Sequence, residues 1–167
     1  LLSRRQRQMC IRDSINSWGR DRFWHPNYNV MTQITDENPA LILADVVEPI
    51  IIRHNRLRCD RGWDIDLDDG SSNYQIYNNL CLNGGIKLRE GFYRTVENNI
   101  IVNNTLHPHL WFKNSGDVFS RNIVMTKYKP IRVYGWGREV DYNIFTDSLS
   151  YLAARQLGGD AHSIVAA

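Results

Sequence analysis

Short apolar runs recur along the chain between polar turns, and each run crosses an asparagine in the same setting. The segments IRHNRLRC, IYNNLCLN, VENNIIVNN, FSRNIVMT and VDYNIF each place one or two polar residues, an asparagine and then aliphatics after an apolar residue. The asparagines are Asn55, Asn79, Asn99, Asn122 and Asn143, with separations of 24, 20, 23 and 21 residues. That period is the length of one coil of a parallel β-helix, in which short strands and their turns make one rung. It is too short for helical solenoid repeats of about 33 to 45 residues. Stacked asparagines at a turn can donate amide to carbonyl from coil to coil. The strand-like runs PIIIRH, YQIYNN, RTVENNIIVNN and DVFSRNIVMT carry the aliphatic or period-2 character expected of rungs. The fold class expected is all-β, a right-handed parallel β-helix of about five coils. DSLSYLAARQL, residues 147–157, adds a short C-terminal helix capped by Asp147 or Ser148 and ended by Gly158.

Each rung has a second strand beyond its asparagine. Aligning GWDIDLDDG, GGIKLREG, PHLWFKNSG and KPIRVYGWG puts Ile65/Leu67, Ile86/Leu88, Leu110/Phe112 and Ile131/Val133 in register and inside the coil. Asp66 and Asp68, Lys87 and Arg89, Trp111 and Lys113, and Arg132 and Tyr134 then face outward. The strict alternation of acid and aliphatic in WDIDLDDG thus has a simple cause: one face of the strand is core and the other is solvent.

Composition changes little in this reading. The 167 residues are 43% apolar and suffice for one core. The net charge of +2 comes from the first fourteen residues, LLSRRQRQMCIRDS, which carry four arginines against Asp13. Residues 15–167 together carry −1. Residues 1–14 lack the apolar stretch of a signal peptide and look like translated adapter read-through. Residues 15–167 are therefore taken as a partial β-helix domain, truncated at both ends. Without the basic leader nothing argues for a nucleic-acid partner, and no run of about 18 apolar residues argues for a membrane span. Cys59 and Cys81 read as small buried thiols, without the spacing of a zinc site. They do not fix the compartment, which is left open, with extracellular or periplasmic placement slightly favoured.

The outward rows hold acids, then Lys87, Arg89 and Glu90, then His107 and His109 with Trp111, then Trp136. Aromatic faces beside convergent polar groups suit a sugar, whose C–H face packs on tryptophan while its hydroxyls bond to charged neighbours. Glycoside hydrolysis needs two carboxyl groups, about 5–5.5 Å apart for a retaining enzyme, and carboxylates on adjacent coils approach that distance. Asp66 or Asp68 on one coil and Glu90 on the next are the candidates. Asp64 and Asp69, with Lys87, Arg89, His107, His109, Trp111 and Trp136, are candidate substrate contacts. A salt-bridged solenoid face is the bland alternative. The acids could also bind Ca²⁺ through oxygen, although EF-hand spacing is absent; no metal or other cofactor is otherwise expected.

The stretch GWDIDLDDGSSNYQIYNNLCLNGGIKLREGFYRTVENNIIVNN, with HPHLWFKNSGDVFSRNIV after it and FWHPNY before, closely resembles bacterial right-handed parallel β-helix glycoside hydrolases, in particular family 120, the β-xylosidases. The resemblance covers residues 15–167. It implies a retaining β-xylosidase acting on an oligo- or polysaccharide, with Asp66 as nucleophile and Glu90 as acid/base; Asp68 remains an alternative nucleophile. Glu37, in TDENP, matches a further upstream glutamate. Members of that family are several hundred residues long, so the chain is expected to be a piece of such an enzyme. A polysaccharide lyase using Lys87 or Arg89 and a non-catalytic carbohydrate-binding solenoid are the rival readings.

Overall fold

The computed structural model describes residues 14–18 and 46–166. The described strands begin with β1 (Ile15–Trp18), and from residue 46 the chain winds through β2 (Ile50–Arg53), β3 (Arg56–Leu57) and β4 (Ile65–Asp68). The next coils are β5 (Tyr74–Tyr77), β6 (Leu80–Cys81), β7 (Ile86–Arg89), and then β8 (Arg94–Glu97), β9 (Ile100–Ile101), β10 (Leu106–His109). The last coils are β11 (Val118–Ser120), β12 (Ile123–Val124), β13 (Glu139–Asp141), β14 (Ile144–Phe145), helix α1 (Ser148–Gln156) and β15 (Ile164–Val165). Every pairing is parallel, and the strands form three sheets: β1-β4-β7-β10, β13-β11-β8-β5-β2 and β15-β14-β12-β9-β6-β3. We call them sheets A, B and C. The architecture is the all-β, right-handed parallel solenoid expected, with about six turns instead of five.

The core is a set of stacked columns. Sheet B contributes Ile52, Ile76, Val96, Phe119 and Val140, in register from coil to coil. Sheet A adds Ile15, Ile65, Ile86 and Leu106, and sheet C adds Leu57, Cys81, Ile101, Val124, Phe145 and Val165. Most are wholly buried, so each coil buries its apolar face only by stacking on the next.

The asparagine ladder is present at the corner between sheets B and C. Asn55 Nδ2 donates to Asn79 Oδ1 (3.0 Å), Asn79 to Asn99 (3.0 Å), Asn99 to Asn122 (3.0 Å) and Asn122 to Asn143 (3.2 Å). Each carbonyl oxygen also accepts the backbone N–H of the asparagine one coil earlier. Asp160 and Ser163 close the ladder, taking the Asn143 amide at 2.8 Å and its backbone N–H at 2.7 Å. The residue before each asparagine is left-handed: His54, Asn78, Asn98, Arg121 and Tyr142 all have φ between 54° and 59°. For Arg121 and Tyr142 that conformation costs about 1 kcal/mol, which the paired ladder offsets.

Helix α1 starts where expected, with Asp147 Oδ1 accepting the Ser150 N–H at 2.8 Å. One register differs from expectation. Leu106 and Pro108, not Leu110 and Phe112, sit over Ile86 and Leu88. Ile131 pairs with His109 in a single bridge instead of following Leu110, and it is exposed.

Candidate active site

The outward face of sheet A carries two rows of polar side chains. Register places Asn16, Asp66, Lys87 and His107 in one row, and Trp18 beside Asp68 with Arg89 beside His109 in the other. Two glycines make the tight approach of these coils possible. A Cβ on Gly84 would lie 2.3 Å from the Asp64 nitrogen, and one on Gly85 would lie 1.1 Å from the Asn104 oxygen.

Two cations organise the acids. Lys87 Nζ lies 3.0 Å from Asp66 and 3.1 Å from Asp68, and sits 4.3 Å from the centre of the Trp63 ring. Arg89 reaches Asp68 (3.2 Å) and Asp69 (3.0 Å) through Nη1 and Glu90 (3.4 Å) through Nε. Asp68 therefore touches both cations and is the most open of these acids; the Asp66 and Glu90 side chains are almost wholly buried. Burial alone would raise the Asp68 pKa, but Lys87 and Arg89 outweigh it and hold the carboxyl below its usual range. Beneath this cluster, Arg94 and Asp117 form a fully buried bidentate pair (3.0 and 2.5 Å). Arg94 also donates to the carbonyls of Arg89 and Gly91, fixing the loop that carries Glu90.

His107 and His109 face outward on β10, and the Trp63 ring meets both edge-on, at 5.9 and 6.3 Å. Burial first, then Lys129, His109 and Lys87, pushes the His107 pKa down to about 4, so its ring is neutral at neutral pH. Its Nε2 is buried without a hydrogen-bond partner. His109 is lowered too, by burial and by Lys87 and Arg89.

Three expected contacts lie elsewhere. Asp64 is buried and accepts four backbone N–H groups, from Cys59 (2.6 Å), Asn83 (3.1 Å), Gly84 (2.9 Å) and Gly85 (3.1 Å). It pins the turn and has no face for substrate. Trp111 follows the shifted register into the core, where it is 0% exposed and donates its indole N–H to Leu88 O at 2.9 Å. Trp136 is wedged between Trp111, Tyr128 and the end of α1, donating to Leu157 O at 2.6 Å. Glu37 lies outside the described residues. Trp63, Trp18 and Asn16 were not anticipated; of the three, only Trp63, directly before the acid run, could have been flagged from sequence. Among the described residues, no three histidine, cysteine or acidic side chains converge as metal ligands. Searches against family models, curated proteins and solved structures find no match to the chain.

Proposed function

We propose that the outer face of sheet A hydrolyses β-linked glycosides, xylosides being the class the sequence resemblance suggests, by a retaining two-carboxylate mechanism. The observation that carries this reading is the Arg89 guanidinium, which gathers Asp68 from one coil and Glu90 from the next beside Trp63 and two histidines. Glu90 serves as acid/base. Asp68 is favoured over Asp66 as nucleophile, because Asp66 is in register with Lys87, three residues short of Glu90. That offset is about 10 Å along a strand. In the first step the Asp68 carboxylate bonds to the anomeric carbon while Glu90 gives its proton to the departing glycosidic oxygen. In the second, Glu90 takes a proton from water, whose oxygen displaces Asp68 and frees the sugar. Arg89 exchanges its acid partners for sugar hydroxyls on binding, Trp18 and Trp63 offer apolar faces, and neutral His107 bonds a hydroxyl.

The test is the full chain with a nitrophenyl β-xyloside, alongside Glu90→Gln, Asp68→Asn and Asp66→Asn. Azide should rescue Glu90→Gln with a β-configured glycosyl azide and Asp68→Asn with the α-anomer. Rescue of Asp66→Asn instead moves the nucleophile. A chain that turns over no glycoside, or keeps full turnover in all three variants, refutes the proposal.

A further inference from the structure

Between Asp117 and Glu139 the chain carries Arg121, Lys127, Lys129, Arg132 and Arg138 and no acid. Lys129 belongs to the sheet-A face. Its backbone N–H donates to Leu106 O, as that of Ile131 does to Pro108 O, both at 2.9 Å, and Ile131 bridges His109. Lys129 therefore continues the row that runs Asn16, Asp66, Lys87, His107. It is exposed, and it is the charge that acts most strongly on the His107 ring. Asp66 answers Lys87, while Asp68, Asp69 and Glu90 answer Arg89. Among the described residues no acid pairs with Lys129. The row thus begins among carboxylates and ends on an ammonium without a counter-ion.

Asn104 sets both groups at this end. Its Oδ1 accepts from Lys129 Nζ, its Nδ2 donates to Asn83 O at 3.0 Å, and its backbone carbonyl takes a hydrogen bond from the His107 ring. Because His107 Nε2 has no partner, the donor to that carbonyl is Nδ1, and Nε2 of the neutral ring is an acceptor. His107 is 8% exposed, so its unmet lone pair carries a cost that a donor from a ligand would remove. One coil on, a carboxylate would replace the neutral Asn104 amide at Lys129 with a stronger, charge-assisted bond. A matching ligand presents a hydroxyl and an anion about one coil spacing apart, roughly 4.8 Å. We propose that the sheet-A groove selects acidic glycans, in which a uronosyl residue places its carboxylate on Lys129 and a ring hydroxyl on His107. Lys129 stands two coils beyond the strand that leads into Glu90, about 10 Å. The charged sugar is therefore the neighbour of the one at the cleavage point. This inference rests on the reading of sheet A as a glycoside site and adds which glycosides that site prefers.

The experiment is calorimetric titration of the full chain carrying Glu90→Gln, so that hydrolysis consumes no ligand. The probes are xylotriose bearing one glucuronosyl unit, the methyl ester of that acid, and plain xylotriose. At low salt the acid should bind about tenfold more tightly than its ester, and added salt should narrow the gap. Adding Lys129→Gln should close the gap while leaving ester binding within about twofold, and Lys129→Glu should turn the preference against the acid. Lys129 is exposed, so circular dichroism of these variants should match the parent. Equal binding of acid and ester overturns the proposal. So does a gap that survives Lys129→Gln, or failure of all three probes to bind. The hydrolase reading fails separately: a chain that prefers the acid but turns over no glycoside loses the chemistry and keeps the selectivity. Turnover of neutral xylosides with acid and ester bound alike overturns the selectivity alone.

Discussion

Replacing Asn99 with alanine should destabilise the solenoid far beyond what the loss of one surface amide would do. The Asn99 oxygen accepts the Asn79 backbone N–H at 2.9 Å and the Asn79 amide at 3.0 Å. The Asn99 nitrogen donates to Asn122 Oδ1, Ile76 O and Glu97 O, at 3.0, 3.0 and 2.9 Å. Asn99 is 1% exposed, so water cannot substitute readily. Alanine strands the Asn79 N–H completely, leaves the neighbouring amide and carbonyl groups short of partners, and opens a small cavity. At about 1–3 kcal/mol for each buried group left unmet, the total comes to about 3–5 kcal/mol. Urea unfolding followed by circular dichroism measures it, with Asn103→Ala as the control. Asn103 donates to Asn83 at 3.1 Å on the exposed surface and should cost within about 0.5 kcal/mol. Asn99→Asp adds a second check. Its oxygens can still take the Asn79 donors, but an ionised carboxylate cannot donate to Asn122 and opposes its oxygen. Its folded pKa is then raised, and stability should recover as pH falls and the acid regains a proton to donate. If Asn99→Ala and Asn103→Ala cost the same, the ladder is not what holds the corner between sheets B and C.

Other consequences follow from the buried charges. Asp117→Ala leaves Arg94 charged and unpaired at zero exposure, which should cost about 3–5 kcal/mol in the same assay; the paired change Arg94→Met with Asp117→Leu should recover most of that loss. His107 resists protonation in the folded state, its pKa falling from the usual 6.5 to about 4. Its contribution to stability is therefore present above pH 6.5 and lost as pH falls towards 4, and His107→Gln should flatten that part of the stability profile by up to about 3 kcal/mol. NMR titration of the ring should find it neutral at pH 6, and a midpoint near 6.5 would contradict the burial argument. Lys87→Met removes the partner that does most to hold Asp68 ionised, so the acid limb of glycoside turnover should move to higher pH; an unmoved limb would separate Asp68 from the chemistry.

The ladder was legible because its chemistry repeats at nearly fixed spacing, and a wrong guess at any one asparagine would have broken the series. Register in sheet A was legible only for the first two coils, where acid and aliphatic alternate without interruption. It failed at the third because HPHLWF offers a more apolar pattern, Leu110 and Phe112, than the true strand. Leu106–His109 contains Pro108, a residue that argues against a strand interior. β10 tolerates it because only the single bridge from Ile131 continues the sheet beyond it. The ladder spacing itself held the right answer: Asn79 to Asn99 is 20 residues, and so is Ile86 to Leu106. The shifted register takes Trp111, expected on the outer face, into the core. Asn16 and Trp18 were invisible for another reason, since β1 joins sheet A from about fifty residues upstream and no local pattern encodes that pairing.

The acid-rich strand also shows why a solenoid can assemble such a face at all. In a single hairpin, four carboxylates within six positions would repel with little to oppose them. Here Asp64 turns into a cage of backbone N–H groups, and the next coil delivers two cations in register with the remaining acids. The neutralising charge comes from 20 or so residues away in sequence but one strand spacing away in space. Asp66 and Glu90 are thereby kept almost wholly buried within ion-paired surroundings, while Asp68 stays open to solvent between Lys87 and Arg89. A surface salt bridge of this kind adds little stability, and burying several of its members adds a desolvation cost. A merely structural face would be cheaper with threonine or serine at these positions. Charge placed where it costs most is what the proposed glycoside chemistry would account for, and Lys87→Met tests that proposal most directly. Because Lys87→Met strands the buried Asp66 carboxylate, the variant should lose stability; if the acid limb of turnover in the remaining folded protein also moves, the face is organised for a reaction, and if turnover is unchanged it is not.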